Sequence, residues 1–510
     1  MEQRSERSII DDLAFRAEQD PGKTAILYED QAISYRELEQ RSAKCRGALN
    51  ALGLKPGERV ALVMCDGPDW VVAFLGVIGL GAIAVPCSTM LKPGELVYIL
   101  NDCGARAAII TADQCETMQA AWAEAPSLEI VLMAGGEHER MKSFNQAVDG
   151  ASPTPAADID ADSLALILYT SGSTGAPKGA AHRHRDIPYT VEKVGRGVFG
   201  VTPEDRLSSS SRLFFAYGLG NSFSFPLGLG ATSILCRERP TPPVIAAVLA
   251  RFRPTIFFSV PAVFRALLEY RRQGQLLETG SLSFCVSAGE SLPAQIYHEW
   301  KEATGLDILD GIGSTELLHM FISNRRDLIR VGSSGVPVEG YEVRLLDERG
   351  QVIDGAGRGD LYIKGPSAIP YYWNQPEKTA ETIRDGWVKT GDVYRRDAEG
   401  FYWFEGRSDD LFKSSGMWVS PVEVEEALCT HSSVLEAAVI AEPDADGTNL
   451  VAAYVVPRPD VSPDADLIKA HAAAALPRYK CPRRIYFIEQ LPRTATGKVQ
   501  RFKLRTPKRP

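Results

Sequence analysis

The chain has 510 residues, 45% hydrophobic and 24% charged, too many for one ordinary core, so two or more domains are expected. A formal net charge of −9 leaves no global basic surface of the kind a phosphodiester backbone demands, which argues against a nucleic-acid partner. Nine cysteines are scattered without a Cys-x-x-Cys pair, against a disulfide framework or zinc knuckle, and no stretch reads as a signal peptide or a membrane span, so a cytoplasmic protein is expected.

From Arg59 onward, short apolar runs alternate with helical-period segments: RVALVMC, PDWVVAFLGVIGLG, AIAVPCS, KPGELVYILNDCG and ARAAIITA. That alternation predicts β-α-β units and a largely parallel sheet. The apolar run Trp70 to Val85, interrupted by three glycines, fits a buried helix followed by a strand. The Ala-, Pro- and Asp-rich stretch from Gly150 to Asp162 reads as a connecting loop and as a candidate division between subdomains. After about Pro337, the runs YEVRLLD, GDLYIKG and GFYWFEGR, separated by Gly and Asp turns, predict a small β-rich module. From about Asp409 the pattern changes again. A helix is expected over Pro421 to Cys429, strands at VLEAAVIAE and LVAAYVVP, a helix around DADLIKAHAAAAL and a strand at RRIYFIE, together a compact α+β unit. The fold class is therefore α/β: a large N-terminal part of parallel-sheet subdomains with a small β-rich module, followed by a small α+β part.

The strongest chemical signal is LALILYTSGSTGAPKG, in which an apolar strand runs into Thr170, Ser171, Gly172, Ser173, Thr174, Gly175 and Lys178. Glycines let backbone amides approach an anion while hydroxyls and a lysine add donors, so the loop suits phosphate. It is not a Walker sequence, since Lys178 stands three residues after Gly175, and a flexible Ser/Gly turn is the bland alternative. A second constellation is DGIGSTELLHMFISN, where an apolar segment ends in Asp310, Gly311, Ile312, Gly313, Ser314, Thr315 and Glu316 and a helical pattern can follow. A hydroxyl beside a carboxylate can hold a phosphate oxygen and a hard cation together; helix capping by Ser314 or Thr315 explains it equally well. Asp392 in a Gly-flanked turn, Arg407 after Gly406, and Lys498 after a glycine near the end are, singly, compatible with ordinary surface residues.

Together and in this order, TSGSTGAPKG, GSTE, KTGD, GRSDD and the final GK resemble the acyl-adenylate-forming superfamily of acyl-CoA synthetases, adenylation domains and luciferases, over nearly the whole chain. The resemblance implies an N-terminal domain over 1–408 that holds the acid and ATP, and a mobile C-terminal domain over 409–510. It implies that Thr170 to Gly175 and Lys178 handle the β- and γ-phosphates of ATP, that Thr315 touches the α-phosphate, and that Glu316 holds Mg²⁺. Asp310, Gly311 and Ile312 would border the nucleotide, Asp392 the ribose, and Arg407 the ribose and phosphate side; Asp409 matches the hinge. Lys498 matches the lysine that joins carboxylate and nucleotide. Ile312 departs from the family, which often places an aromatic residue there to stack on adenine.

SSSRLFFAYGLGNSFSFPLGLGAT, with DGIGSTELLHM, looks most like the benzoate-CoA ligase group of aryl-CoA ligases. That resemblance implies an acid pocket lined by Phe215, Ala216, Tyr217, Gly218, Ala288, Gly289, Gly313, His319 and Met320, with His319 as the titratable polar neighbour of a single planar ring and coenzyme A as acyl acceptor. Ordinary core packing is the alternative for the aromatic residues. FFAYGLGN lacks the aspartate that amino-acid adenylation domains use to hold an ammonium group. Two other readings stand beside this one, a medium-chain or alicyclic acyl-CoA synthetase and a non-catalytic adenylate-binding protein of the same fold. Lys498 is also a candidate target of a lysine acetyltransferase, since acylation would remove its charge.

Overall fold

The computed structural model describes residues 8–170, 177–414, 417–444, 449–459, 461–493 and 499–505. Ser171, Gly172, Ser173, Thr174 and Gly175 of the candidate phosphate loop, and Lys498, lie outside these residues. Among the described residues, the alternating β-α pattern builds two large sheets. One has seven strands, in the order Lys142–Ser143, Ile130–Ala134, Ala107–Thr111, Arg59–Val63, Ile83–Pro86, Leu164–Thr170 and Lys178–Arg183. Its strands are parallel except for the last pair, an antiparallel hairpin. The other has nine strands, with a parallel centre running through Ile308–Gly313, Phe284–Ser287, Ile256–Ser259, Arg206–Ser209, Thr232–Ile234 and Thr24–Tyr28.

The glycine-interrupted apolar run forms the helix Pro68–Gly79 and the strand Ile83–Pro86, as expected. Every residue of that helix except Asp69 is buried, which is what an all-round apolar helix requires. Trp70 stacks on Phe74 at 5.1 Å and Phe74 meets Phe223 edge-on at 5.0 Å, so one aromatic cluster joins the helix to the segment that follows the second sheet's strand Arg206–Ser209. One core holds Leu62 of the first sheet and Ile26 of the second.

The stretch from Gly150 to Asp162 is a connecting loop, but it does not divide subdomains. It carries the chain to Leu164–Thr170 within the seven-stranded sheet and lies along two helices. Thr154 N–H donates to the Ala43 carbonyl (3.0 Å), Ala157 N–H to the Gly79 carbonyl (2.9 Å), and Arg46 Nε to the Thr154 carbonyl (2.9 Å). Its prolines forbid regular structure, yet its backbone finds partners on the helices it crosses.

The β-rich module is a five-stranded antiparallel sheet containing Glu342–Leu346, Gly357–Lys364, Trp387–Arg396 and Tyr402–Arg407. Beyond it, the helix Pro421–Cys429 starts where Ser420 Oγ accepts from Glu423 N–H at 3.3 Å, with proline in the first turn, where its missing N–H costs nothing. The strands Val434–Pro443, Asn449–Pro457 and Arg484–Phe487 and the helix Ala465–Ala475 complete this α+β unit. No helix among the described residues is long and apolar enough to cross a membrane.

Candidate active site

Four parallel strands of the nine-stranded sheet end side by side, and ligands of such sheets bind outside the carboxyl ends of the strands. In register across that edge lie Ser259, Ser287 and Asp310, all buried. Ala288 and Gly289 follow the strand Phe284–Ser287 directly. Burial pushes the Asp310 carboxyl well above the usual carboxylate range, and among the described residues its Oδ1 has no hydrogen-bond partner, nor does the buried Ser314 Oγ.

The segment after Glu316 is not a helix. A single 3₁₀ turn, Thr315–Leu317, leads to the strand Met320–Ser323, which folds back antiparallel on Ile308–Gly313. Leu318 makes the reversal with φ 66°. LLHMFIS is a mostly apolar run broken by His319, and periodicity alone cannot tell a buried strand from a buried helix in such a run. Ser314 accordingly caps no helix. Gly313 is required here, because a Cβ would stand 2.5 Å from the His319 carbonyl oxygen.

Three contacts from elsewhere fix the Thr315–Glu316 turn. His182 Nε2 donates to the Thr315 carbonyl at 2.7 Å, Ile369 N–H to the Glu316 carbonyl at 2.9 Å, and Tyr372 O–H to Glu316 Oε1 at 2.7 Å. Lys178 pairs in register with Thr170 across the hairpin that brackets the phosphate-loop candidate, and its Nζ lies 5.8 Å from the Tyr372 ring centre. Burial and the nearby Lys378 pull the Lys178 ammonium below its ordinary value, against the opposing pull of Glu316. Glu316, Lys178 and Arg407 all lie within electrostatic reach of one another. Arg407 pairs with Asp392 in register and donates to its Oδ1 at 2.9 Å. The structure thus brings Thr170, Lys178, Thr315, Glu316, Asp392 and Arg407 to one place.

The aromatic segment forms a short helix, Ala216–Leu219, introduced by Phe215. Phe215, Ala216 and Tyr217 are half-buried and Gly218 is buried. Tyr217 O–H donates to the Val286 carbonyl at 3.3 Å, tying this wall to the strand that precedes Ala288 and Gly289. The Tyr217 and His319 rings are 5.5 Å apart, and Phe225 meets His319 edge-on at 4.6 Å. His319 Nε2 hydrogen-bonds Asn221 Oδ1 at 3.1 Å. Burial lowers the His319 pKa to about 3, so the ring is a neutral hydrogen-bonding group at neutral pH. Among the described residues, His319 Nδ1 and Asn221 Nδ2 are buried without partners. Met320 is buried, Gly311 and Gly313 face it across the hairpin, and Ile312 is half-buried.

Asn221, Tyr372 and His182 were not singled out from sequence. Asn221 is a polar residue inside an otherwise apolar segment, which is a usable signal; Tyr372 and His182 offered none, because their partners lie 56 and 133 positions away.

Asp409 sits between two anchored neighbours. On one side Ser408 Oγ donates to Asp360 Oδ1 at 2.9 Å and its N–H to the Gly391 carbonyl at 3.0 Å. On the other, Asp410 is paired with Arg505 at 2.7 Å and Arg501 at 3.5 Å, both from the end of the chain.

The chain matches the model of the AMP-binding enzyme family over residues 13–373 and that of the AMP-binding enzyme C-terminal domain over 423–498. It is 43% identical to the benzoate–CoA ligase of Thauera aromatica over 95% of this chain and 93% of that one. A solved benzoate CoA ligase from Burkholderia xenovorans LB400 superposes with a TM-score of 0.90 at 39% identity, covering 98% of this chain and 100% of the other. An anthranilate CoA ligase in complex with anthranoyl-AMP gives 0.94 at 39% identity, covering 98% and 97%.

Proposed function

Because the chain belongs to the AMP-binding enzyme family, we infer from its site that it is an ATP-dependent acid–thiol ligase acting on an aromatic carboxylic acid of benzoate size. It forms the acyl-adenylate from the acid and ATP and passes the acyl group to coenzyme A, releasing pyrophosphate and AMP. The observation that supports the choice of acid is the packing of the Tyr217, His319 and Phe225 rings beside the strand end that carries Ala288 and Gly289, an aromatic wall of the kind that suits one flat ring.

In the first step two anions meet, the carboxylate and the α-phosphate, so charge at that point must be offset. Thr315, held through its carbonyl by His182, is our candidate for the α-phosphate contact. Lys178 supports the β- and γ-phosphates; a phosphate beside it would restore the charge that burial disfavours. Asp392 and Arg407 are assigned to the ribose side. The Glu316 carboxylate, with Oε1 fixed by Tyr372, suits Mg²⁺, a hard cation that takes oxygen ligands and supplies charge neutralisation on the phosphates. Lys498 we assign to the same step; it is also the residue we propose for inactivation by a lysine acetyltransferase. The second step has no pyrophosphate to stabilise, so a unit over 409–510 that turns about Asp409 can withdraw the lysine. The anchoring of Ser408 and Asp410 to opposite sides supports that pivot.

The test is AMP formation dependent on both ATP and CoA, with benzoate, hydroxy- and aminobenzoates, hexanoate and cyclohexanecarboxylate as acids. Benzoate or a substituted benzoate is expected to give the highest kcat/KM. A preference for hexanoate would replace the reading by a medium-chain synthetase, and absence of AMP with every acid would leave only adenylate binding.

A further inference from the structure

One short segment, residues 366–373, lies against both charged halves of the candidate nucleotide site. On one side it runs beside the strand Lys178–Arg183. Ala181 N–H donates to the Tyr371 carbonyl at 3.3 Å, Trp373 N–H to the Gly179 carbonyl at 2.7 Å, and Arg183 Nη2 to the Pro366 and Ala368 carbonyls at 2.9 and 3.0 Å. On the other side it grips the turn Thr315–Leu317. Ile369 N–H donates to the Glu316 carbonyl, and Ser367 Oγ to the next one, that of Leu317, at 2.9 Å; the Tyr341 hydroxyl backs Ser367 Oγ at 2.7 Å. With His182 on the Thr315 carbonyl, three successive carbonyls of the turn are held from outside it, so the turn cannot shift without orphaning buried backbone groups.

Tyr372 is where this segment meets the two charges. It is buried and packs with Ala180 and Ile369. Its hydroxyl donates to Glu316 Oε1, and the Lys178 ammonium lies 5.8 Å from its ring centre, within cation–π range. Lys178 and Glu316 are close enough to feel each other's charge, and opposite charges so placed ordinarily close to an ion pair of about 4 Å or less. Among the described residues these two form no such pair, and each touches Tyr372 instead. We propose that Tyr372 is a positioning residue for nucleotide and metal binding, a spacer that keeps Lys178 and Glu316 from neutralising each other. Its hydroxyl occupies one carboxylate oxygen and leaves Oε2 for a cation, while contact with the ring leaves the ammonium its other N–H donors for phosphate. The proposal rests on the roles proposed above for Glu316 and Lys178.

The experiment measures binding to the full-length protein with no acid present, so that no adenylate forms: Mn²⁺ in the presence of ATP, by loss of the free-ion EPR signal, and ATP in EDTA, by calorimetry. Tyr372→Phe keeps the ring and removes the hydroxyl. It is expected to weaken Mn²⁺ binding about 10- to 100-fold, as loss of a partner behind a metal-binding carboxylate does, and to leave ATP binding in EDTA within about twofold. Tyr372→Leu removes both contacts and should also weaken ATP binding in EDTA, roughly fivefold, because the freed carboxylate captures the lysine. Adding Glu316→Gln to Tyr372→Leu should restore that ATP affinity, which a merely structural role of the tyrosine would not allow. In the Glu316→Gln background, Tyr372→Phe should change Mn²⁺ binding by less than about twofold. Unchanged Mn²⁺ binding in Tyr372→Phe, or no recovery of ATP binding when Glu316→Gln is added to Tyr372→Leu, would overturn the spacer. A Glu316→Gln protein that binds Mn²⁺ as before would instead overturn the metal reading of Glu316, and the spacer with it.

Discussion

Gly220→Ala is a test of the acid slot that adds a single methyl group behind its polar wall. Gly220 is helical, with φ −61°, so alanine meets no backbone strain. Its Cβ would stand 2.3 Å from Cδ2 and 2.7 Å from Nε2 of His319, and ordinary contact begins at 3.4 Å, so the ring must retreat by about 1 Å. Phe225 packs against the ring at 4.6 Å and Asn221 holds its Nε2, so the ring cannot retreat without disturbing one of these contacts. Overpacking of this kind costs roughly 1–3 kcal/mol, and loss of the Asn221 bond adds about 1 kcal/mol. Appearing in acid activation, that is about a 30- to 1000-fold fall in kcat/KM for benzoate. The assay is AMP formation over a range of benzoate concentrations, repeated in a His319→Ala background, where the clash is gone and Gly220→Ala should change kcat/KM by less than about twofold, an outcome read as a double-mutant cycle. Full activity of Gly220→Ala, or the same loss in both backgrounds, would refute a slot shaped by His319.

Tyr217→Ala enlarges the slot and is expected to shift preference toward para-substituted benzoates, by about 1–3 kcal/mol per methylene-sized change in contact, read as a ratio of kcat/KM values; an unchanged ratio removes Tyr217 from the lining. Lys498→Ala should lower adenylate formation about a hundred- to thousandfold and spare thioester formation from supplied benzoyl-adenylate, and equal loss in both steps would deny it that role. Asp409→Pro fixes φ at the proposed pivot, so one half-reaction should survive and the other collapse; if both run normally, the pivot lies elsewhere. His184 is buried with both ring nitrogens unpaired among the described residues, and burial lowers its pKa to about 4 from 6.5. A depressed pKa contributes stability present above 6.5 and lost as pH falls toward 4, worth on the order of 2 kcal/mol by pH 5. His184→Leu should therefore flatten the fall in the urea midpoint between pH 7 and 5, and an unaltered slope would exclude His184 as its source.

The elements that were legible carry their own local signals. Pro421–Cys429 begins at a serine cap with proline behind it and ends as read, and the strand Leu164–Thr170 announces itself by an apolar run that stops at glycines and hydroxyls. The turn after Glu316 was less legible, because the φ of 66° at Leu318 is imposed by hairpin pairing and nothing in a leucine signals it. In the site, residue types at motif positions could be named, but not what holds them. That Tyr372 fixes Glu316, or that Asn221 orients His319 across 98 positions, is decided by tertiary packing. The neutrality of His319 is set the same way, since burial lowers its pKa and burial is not written in the run LLHM.

The shared core around Trp70, Phe74 and Phe223 has a consequence for how the molecule comes apart. Because Ile26, Leu62 and Leu166 belong to one buried cluster, the two large sheets cannot melt independently without exposing the same side chains, and they form one cooperative unit. The cluster of Phe412, Val424, Val439, Val455 and Ile468 is separate, so the C-terminal unit can lose its order without exposing that shared core. Denaturation confined to that unit would leave Tyr217, His319 and Phe225 packed as before while releasing the part of the chain in which the proposed adenylation lysine lies, so that on the roles proposed for these residues retained acid binding would be no sign of a working catalyst.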